Sequence, residues 1–347
     1  LALLRVNKQQ GAFLSSSAVG VISPGFDVND MGYQSRADVV NVHSGGGYKW
    51  TQPRGWRNYA HVLGAAWGGW DNGGNLNTGG LFGATRLSLA SNWTIEGNAG
   101  VNPAMVRNRL TRGGPLVLGR PATSTSWYVS TDPRQRRVYT LNLEAGATPA
   151  TSSFWSAIST SVEWKPVPNF SLSVGPEVDR NVDDAQYVRA VAAAEGEVPA
   201  NFGGLHYVFA RLDQTTVLAN IRLNVSLTPN LSLQTYLQPL ISAGRYTDFK
   251  ELARSRSYDF IHYASATEAP VNPDEPADPS FNVKSLRGNA VLRWEYRPGS
   301  VLYFVWTQVR EDYESLGDLR FGPSTRRLLD TEADDVFMVK ATYYLNL

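Results

Sequence analysis

Cysteine is absent from the 347 residues. That excludes disulfide frameworks, thiolate metal sites and cysteine nucleophiles, and it suits an oxidising, extracytoplasmic compartment. Net charge is almost absent as well: 32 Lys and Arg against 31 Asp and Glu leave +1. Neither a basic nucleic-acid surface nor a polyanionic tail is indicated. Charged residues make up 18% of the chain, below the about one quarter usual in soluble domains. Lysine is scarce among them, at 6 of the 32 basic residues. No apolar run approaches the ~18 residues of a spanning helix; the longest clear one is Val301 to Trp306. A mean hydropathy of −0.27 agrees in excluding a helical membrane protein. Leu1 to Val6 lack the basic start, long apolar stretch and small-residue cleavage site of a secretory signal. The chain therefore reads as a mature protein, a fragment, or the ordered part of something longer. No P-loop, dinucleotide fingerprint, zinc motif or Ser-His-Asp pattern is visible, and no cofactor is expected.

What is plentiful is 31 Gly, 10 Trp, 16 Tyr and 13 Phe beside 3 Met. That mixture points to strands, turns and aromatic girdles rather than helices. Period two runs through nearly the whole chain. Between Val217 and Leu227 one face reads Val217, Ala219, Ile221, Leu223, Val225, Leu227, and the other Leu218, Asn220, Arg222, Asn224, Ser226. The C-terminus repeats it, with Phe337, Val339, Ala341, Tyr343, Leu345 and Leu347 against Met338, Lys340, Thr342, Tyr344 and Asn346. A soluble sandwich also alternates, but its polar face is usually rich in Lys, Glu and Thr. Here that face is Asn, Ser, Gln and Gly with scattered Arg and Glu. The apolar faces are about ten residues long, where sandwich strands are more often five or six. Lipid outside and a polar lumen inside account for both features.

Turns give an independent signal. Short breaks recur at Ser91–Trp93, Pro166–Asn169, Thr228–Asn230 and Arg297–Gly299, with Pro, Asn or Gly supplying the backbone of a tight reversal. Long connections rich in Gly, Pro and charge lie at 23–37, 71–79, 107–122, 244–257, 267–281 and 311–334. Short turns on one side and long loops on the other describe an outer-membrane barrel. The expected fold is a transmembrane, antiparallel up-and-down β-barrel of about sixteen strands. An odd count would mean strands missing from the N-terminal end.

Six stretches carry a family resemblance: Ser23–Gly32, Leu110–Leu116, Asp183–Val188, Leu212–Thr216, Leu237–Leu252 and Ser285–Ser300. In that order they resemble an uncharacterised bacterial outer-membrane β-barrel family, normally found behind an N-terminal family-9-like carbohydrate-binding domain. The similarity runs from about Pro24 to the C-terminus. It implies a barrel in the outer membrane of a Gram-negative-type bacterium, and no catalytic residues. This chain lacks the carbohydrate-binding domain and the earlier strands. It is a single barrel domain over 1–347, either whole or the C-terminal part of a longer protein.

Candidate site residues fall into two sets. Register places Arg86, Glu96, Glu163, Glu177, Arg222, Arg293, Glu295 and Lys340 toward a lumen, where mixed charge sets selectivity or pairs across the wall. Arg107, Arg109 and Arg112 precede Gly113-Gly114-Pro115, with Arg120 close behind. They suit either a constriction loop holding an anionic or sugar ligand through guanidinium groups, or an external loop facing surface glycolipid and water. Asp183-Asp184 suggests a hydrolase pair, but His43, His61, His206 and His262 all lie more than a dozen residues away in sequence. Asp274, Glu275 and Asp278 lack calcium-loop spacing and read as a Pro-stiffened surface loop. Trp50, Trp93, Trp164, Trp294 and Tyr296 read as a periplasmic girdle.

Three functions compete. The first is a channel or transporter for small or carbohydrate-related solutes, and the second a plugged barrel that anchors or docks a surface or periplasmic domain or partner protein. The third is an outer-membrane hydrolase. Outer-membrane lipid is the expected partner, and nucleic acid is not one.

Overall fold

The computed structural model describes residues 1–30, 32–34, 36–194 and 202–345. Met31 of the Ser23–Gly32 stretch, and Asn346 and Leu347 of the last alternating segment, lie outside the described residues. The chain folds as one large antiparallel sheet of sixteen strands. It opens with β1 (Ala2–Lys8), β2 (Phe13–Ile22), β3 (Val39–Trp50), β4 (Arg57–Trp70), β5 (Leu76–Leu89) and β6 (Thr94–Asn102). A separate hairpin, β7 (Val106–Arg107) with β8 (Val117–Leu118), interrupts the meander before β9 (Ala122–Ser130) pairs back onto β6. Next come β10 (Arg137–Ala147), β11 (Phe154–Trp164), β12 (Phe170–Ala192), β13 (Leu205–Thr228) and β14 (Leu231–Leu252). The short β15 (Phe260–His262) pairs with the end of β14, off the main path. The chain closes with β16 (Phe281–Arg297), β17 (Ser300–Glu314), the helix α1 (Phe321–Asp330) and β18 (Asp334–Thr342).

Each pair of neighbours in the path is antiparallel, and the path begins at β1 and ends at β18 without joining them. The all-β, antiparallel expectation therefore holds, and the sheet itself is open. The connections at 9–12, 51–56, 90–93, 131–136, 165–169, 229–230 and 298–299 are short and lie at one end of the strands. The opposite end carries the short connections 71–75 and 148–153 and the longer 23–38, 103–121, 193–204, 253–280 and 315–333. Three of the long connections expected from sequence are partly strand: β5 already begins at Leu76, β14 continues to Leu252, and β17 to Glu314. In β14 a bulge between Phe209 and Arg211 of the neighbouring strand lets the polar chain stay paired, whereas β17 continues to Glu314 in unbroken register with β16. Helix α1 also departs from the expectation of strands and turns alone. Its Pro323 lies in the first turn, where the missing N–H costs little, and Ser324 and Leu328, one turn apart, are buried against the sheet.

Directly opposed residues share a face of a sheet. Arg86 opposes Glu96, which opposes Tyr128; that row continues through Asn142 and Ser159 to Glu177. Glu163 opposes Ser173, which opposes Arg222, followed by Tyr236 and Asn289. Arg293 opposes Tyr303, which opposes Lys340. Even offsets along β11 and β16 join these rows, so all eight charged candidates occupy one face. Val217, Ala219, Ile221, Leu223 and Val225 occupy the other, opposite Ile241, Leu237 and Leu233 of β14.

The polar face closes inward between β3 and β4. A Cβ at Gly45 would lie 2.5 Å from that of its partner Ala65, and one at Gly47 2.7 Å from that of Leu63. Only glycine permits so sharp a bend. The two buried apolar clusters lie at the long-loop end of β12–β14, around Tyr207 with Phe209, and Val208 with Phe249. From Asp213 to Leu240 no residue is buried. Among the described residues, the middle of β13 and the adjoining part of β14 carry no buried side chain.

Candidate functional site

The connection 103–121 leaves β6 and does not stay there. A left-handed Arg112 (φ 54°) and Gly113 (φ 101°) turn it back, and Gly114 packs against the Tyr207 ring so closely that a side chain would collide. Val117 is 1% exposed within the cluster of Ala185, Tyr207, Phe209 and Leu252. Backbone bonds fix the docking: Leu118 N–H donates to the Ser257 carbonyl at 3.0 Å, and Arg256 N–H to the Leu116 carbonyl at 2.7 Å. Two guanidinium groups lie over rings distant in sequence, Arg112 at 5.7 Å from the Tyr187 centroid and Arg120 at 5.0 Å from Tyr258. On the other side, Arg36 donates to Asn108 at 3.1 Å, and Asn108 to Asp71 at 3.4 Å. The loop thus bridges connections on either side of its own strands, from 23–38 to the ends of β12–β14.

Beneath it lies a cavity of about 350 Å³, lined among others by Arg107, Arg120, Trp155, Asn181, Asp183 and Tyr258. Burial, followed by the negative charges of Asp184 and Asp183, pushes the Tyr258 hydroxyl well above its ordinary pKa. It stays protonated and donates to Asp184 at 3.3 Å. Asp184 sits at a bulge of β12 against β13. Its backbone N–H is held by the Ser153 hydroxyl at 2.8 Å, and Lys250 and Arg211 approach its carboxylate at 3.8 Å. This carboxylate is a structural anchor for cations. Among the described residues no histidine lines the cavity. His206 bonds Glu251 at 2.6 Å, His262 bonds Asp248 at 2.6 Å, His43 contacts Ser16 at 3.4 Å, and His61 stacks 6.1 Å from Tyr59. The chamber offers guanidinium, carboxylate, amide and protonated phenol groups, which suit hydrogen bonding to a polar solute.

Of the four loop arginines, then, Arg112 and Arg120 pin the loop, while Arg107 and Arg120 face the cavity. Arg109 is engaged by a neighbour. The polar-face charges are mostly paired locally. Arg86 meets Glu96 at 3.3 Å, Arg293 meets Glu295 at 3.0 Å, and Glu163 meets Lys165 at 2.8 Å. Arg222 lies 4.9 Å over the Tyr236 ring. Glu177 shares its face with Asp179 and, across the ladder, Glu144. Lys340 stands opposite Tyr303.

The 274–278 segment is less free than its composition suggests. Arg189 of β12, with its side chain 4% exposed, donates to the carbonyls of Pro276 and Ala277 at 2.8 and 2.7 Å, and meets Glu275 at 3.6 Å. Asp278 accepts from Ser280, and Asp274 is not brought to these contacts. Trp50, Trp93, Trp164, Trp294 and Tyr296 are all exposed beside short turns. Sequence reasoning missed Tyr187, Tyr258 and Lys250, which belong to the site through contacts 60 or more residues away in the chain. Among the described residues no cluster of three or more His, Asp or Glu is disposed to hold a metal ion, and no helix is long and apolar enough to cross a membrane.

The family described as Domain of unknown function (DUF5916) matches residues 2–347. No curated protein and no solved structure matches the chain.

Proposed function

We propose, from the premise that this chain belongs to the DUF5916 family over nearly its whole length, that it is an outer-membrane β-barrel passing small polar solutes. In this reading the apolar face meets lipid, the polar face lines a watery interior, and the loop 103–121 constricts it. Carbohydrate-derived solutes fit the resemblance noted above. The observation that supports it most is uncovered apolar surface. The chain exposes 20657 Å², whereas a compact soluble protein of 38.1 kDa exposes roughly 13,900 Å². Much of the excess is apolar and in register: Ile158 at 53%, Val178 at 47% and Leu237 at 39% exposure stand on the same face as Val217 to Val225. At about 25 cal/mol per Å², so large an apolar area facing water is untenable, and lipid removes the cost.

A second reading, a plugged barrel that docks another domain or protein, is favoured by the same loop, because it is pinned at both ends. Single-channel recording in a planar bilayer separates the two. The channel reading expects steady conductance from the purified protein. Silence before and after deletion of 107–120 leaves the anchor. The membrane itself is tested by cysteine scanning from 217 to 225 with an impermeant thiol reagent, for which the cysteine-free chain needs no preparation. Alternate labelling is expected, and uniform labelling overturns the barrel.

A further inference from the structure

A second concavity, of about 650 Å³, lies on the polar face where β2, β3, β4 and β5 run side by side. Its floor is bare backbone, because Gly45 and Gly47 hold no side chain over it. Rings bound it. Trp67 and Phe82 meet edge to face at 5.6 Å, and Tyr59 and His61 stand 6.1 Å apart. The ladder puts all four on one face: Phe82 opposes Ala65, the partner of Gly45, Trp67 opposes His43, and His61 opposes Lys49. Its charge has one sign. Lysine and histidine line it, and among the described residues no Asp or Glu does. Lys49 belongs to no ion pair among the described residues, and the buried Nδ1 of His61 beside it has no hydrogen-bond partner.

We propose that this groove binds a small planar ring bearing a carboxylate. The ring lies on the glycine floor against Trp67 and Phe82, whose faces and edges favour another flat apolar ring. The carboxylate reaches the Lys49 ammonium, a charge-assisted contact of the strong kind. His61 borders the groove at the same end. A neutral ring would use the stacking alone, and a cation would meet like charge. The proposal rests on the reading above only in taking the polar face as open to solvent; it does not require conduction.

Isothermal titration of the whole protein in lipid nanodiscs, with empty nanodiscs subtracted, tests it with benzoate and benzamide. Benzoate is expected to bind about tenfold more tightly than benzamide. Lys49→Gln should remove that preference, Lys49→Arg should keep it, and Trp67→Ala should weaken both probes by about fivefold to tenfold. Equal affinity for the two probes in the unaltered protein, no saturable binding, or an unchanged preference in Lys49→Gln overturns the proposal. A bilayer that stays silent while benzoate still binds rejects the channel and leaves the groove standing.

Discussion

Replacing Val117 by Asp should release the 103–121 loop. Val117 is 1% exposed in an apolar cluster, so its burial contributes about 1.5–3 kcal/mol to docking. The ring contacts of Arg112 and Arg120 add about 0.5–1 kcal/mol each, and the backbone bonds to Ser257 and from Arg256 about 0.5–1.5 kcal/mol each. An aspartate at 117 forfeits the burial term and adds the cost of an unpaired carboxylate among Tyr207, Phe209 and Leu252, several kcal/mol if it stayed. The loop leaves instead. A change of about 3–5 kcal/mol in local opening corresponds to a roughly 150-fold to 5,000-fold larger open population, at about 1.4 kcal/mol per decade. Trypsin reads this directly, because the bonds after Arg107, Arg109 and Arg112 are cleavage points on the loop itself, whereas Arg120 is shielded by the following Pro121. When reclosing outpaces cleavage, the rate tracks the open population. Val117→Ala should raise the rate by roughly tenfold, since it loses burial without adding charge. If both variants are cut at the unaltered rate, the docked loop is not the resting arrangement. In the channel reading Val117→Asp also raises conductance, and equal conductance would place the constriction elsewhere.

Two further expectations follow from charge. Arg222→Glu with Arg293→Glu should shift the selectivity of a conducting barrel toward cations; Arg222 alone is the cleaner probe, because a glutamate at 293 also faces Glu295. An open pore whose reversal potential does not move would remove these residues from the pathway. In the turn after β9, hydrogen bonds from the Arg134 side chain and backbone hold the Asp132 carboxyl well below the ordinary carboxylate range. A carboxyl lowered on folding contributes stability above its unfolded value of roughly 3.9 and loses it as pH falls toward the folded value. The difference in urea midpoint between the unaltered protein and Asp132→Asn should therefore be flat above about pH 5 and shrink below about pH 4; a difference constant to pH 3 would contradict the pairing.

The faces of the sheet were legible in the sequence because a packed or lipid-facing side and a wet side leave period two in the chain. Val217 to Leu227 lies inside β13, and the eight charges chosen by alternation share one face. The upper parts of β12, β13 and β14 were not legible. Bulges between Asp183 and Gln186, between Tyr187 and Arg189, and between Phe209 and Arg211 break the period while pairing continues. Asp183 and Asp184 look like a chemical pair for that reason alone. The loop arginines were legible as a group, but their partners were not, since Tyr187 and Tyr258 stand far away in sequence and stacking has no local pattern. Helix α1 escaped notice because Phe-Gly-Pro-Ser gives no helical period. Its anchor is tertiary: Arg327 meets Asp312 at 3.2 Å and Glu314 at 3.1 Å, and both carboxylates hold the wholly buried Lys284 at 2.7 and 2.6 Å.

The two edges of the sheet pose a sharper question, which a disulfide can answer. Every residue of β1 and of β18 is exposed, and Leu4, Val6, Phe337 and Val339 are among them. Exposed apolar edges invite pairing with another strand. Fifteen strands lie on the path from β1 to β18, sixteen in the sheet less the off-path β15, and neighbours alternate in direction. An odd number of alternating strands leaves the first and last pointing the same way. Joined directly, β1 and β18 would form a parallel pair, slightly weaker per residue than the antiparallel pairs around it. In the barrel reading, an antiparallel seam would take one further strand between them, giving the even count usual in bacterial barrels. With Leu4→Cys on β1 and Val339→Cys on β18, direct pairing near this register brings the Cα atoms within the ~7 Å that a disulfide spans. An intervening strand holds them at about twice the ~4.8 Å strand spacing, too far to bridge. We therefore expect no disulfide between Leu4→Cys and Val339→Cys in lipid under mild oxidation, nor between Leu4→Cys and Phe337→Cys or Ala341→Cys. Efficient bridging at any of the three would refute the antiparallel seam and show that fifteen strands close on themselves.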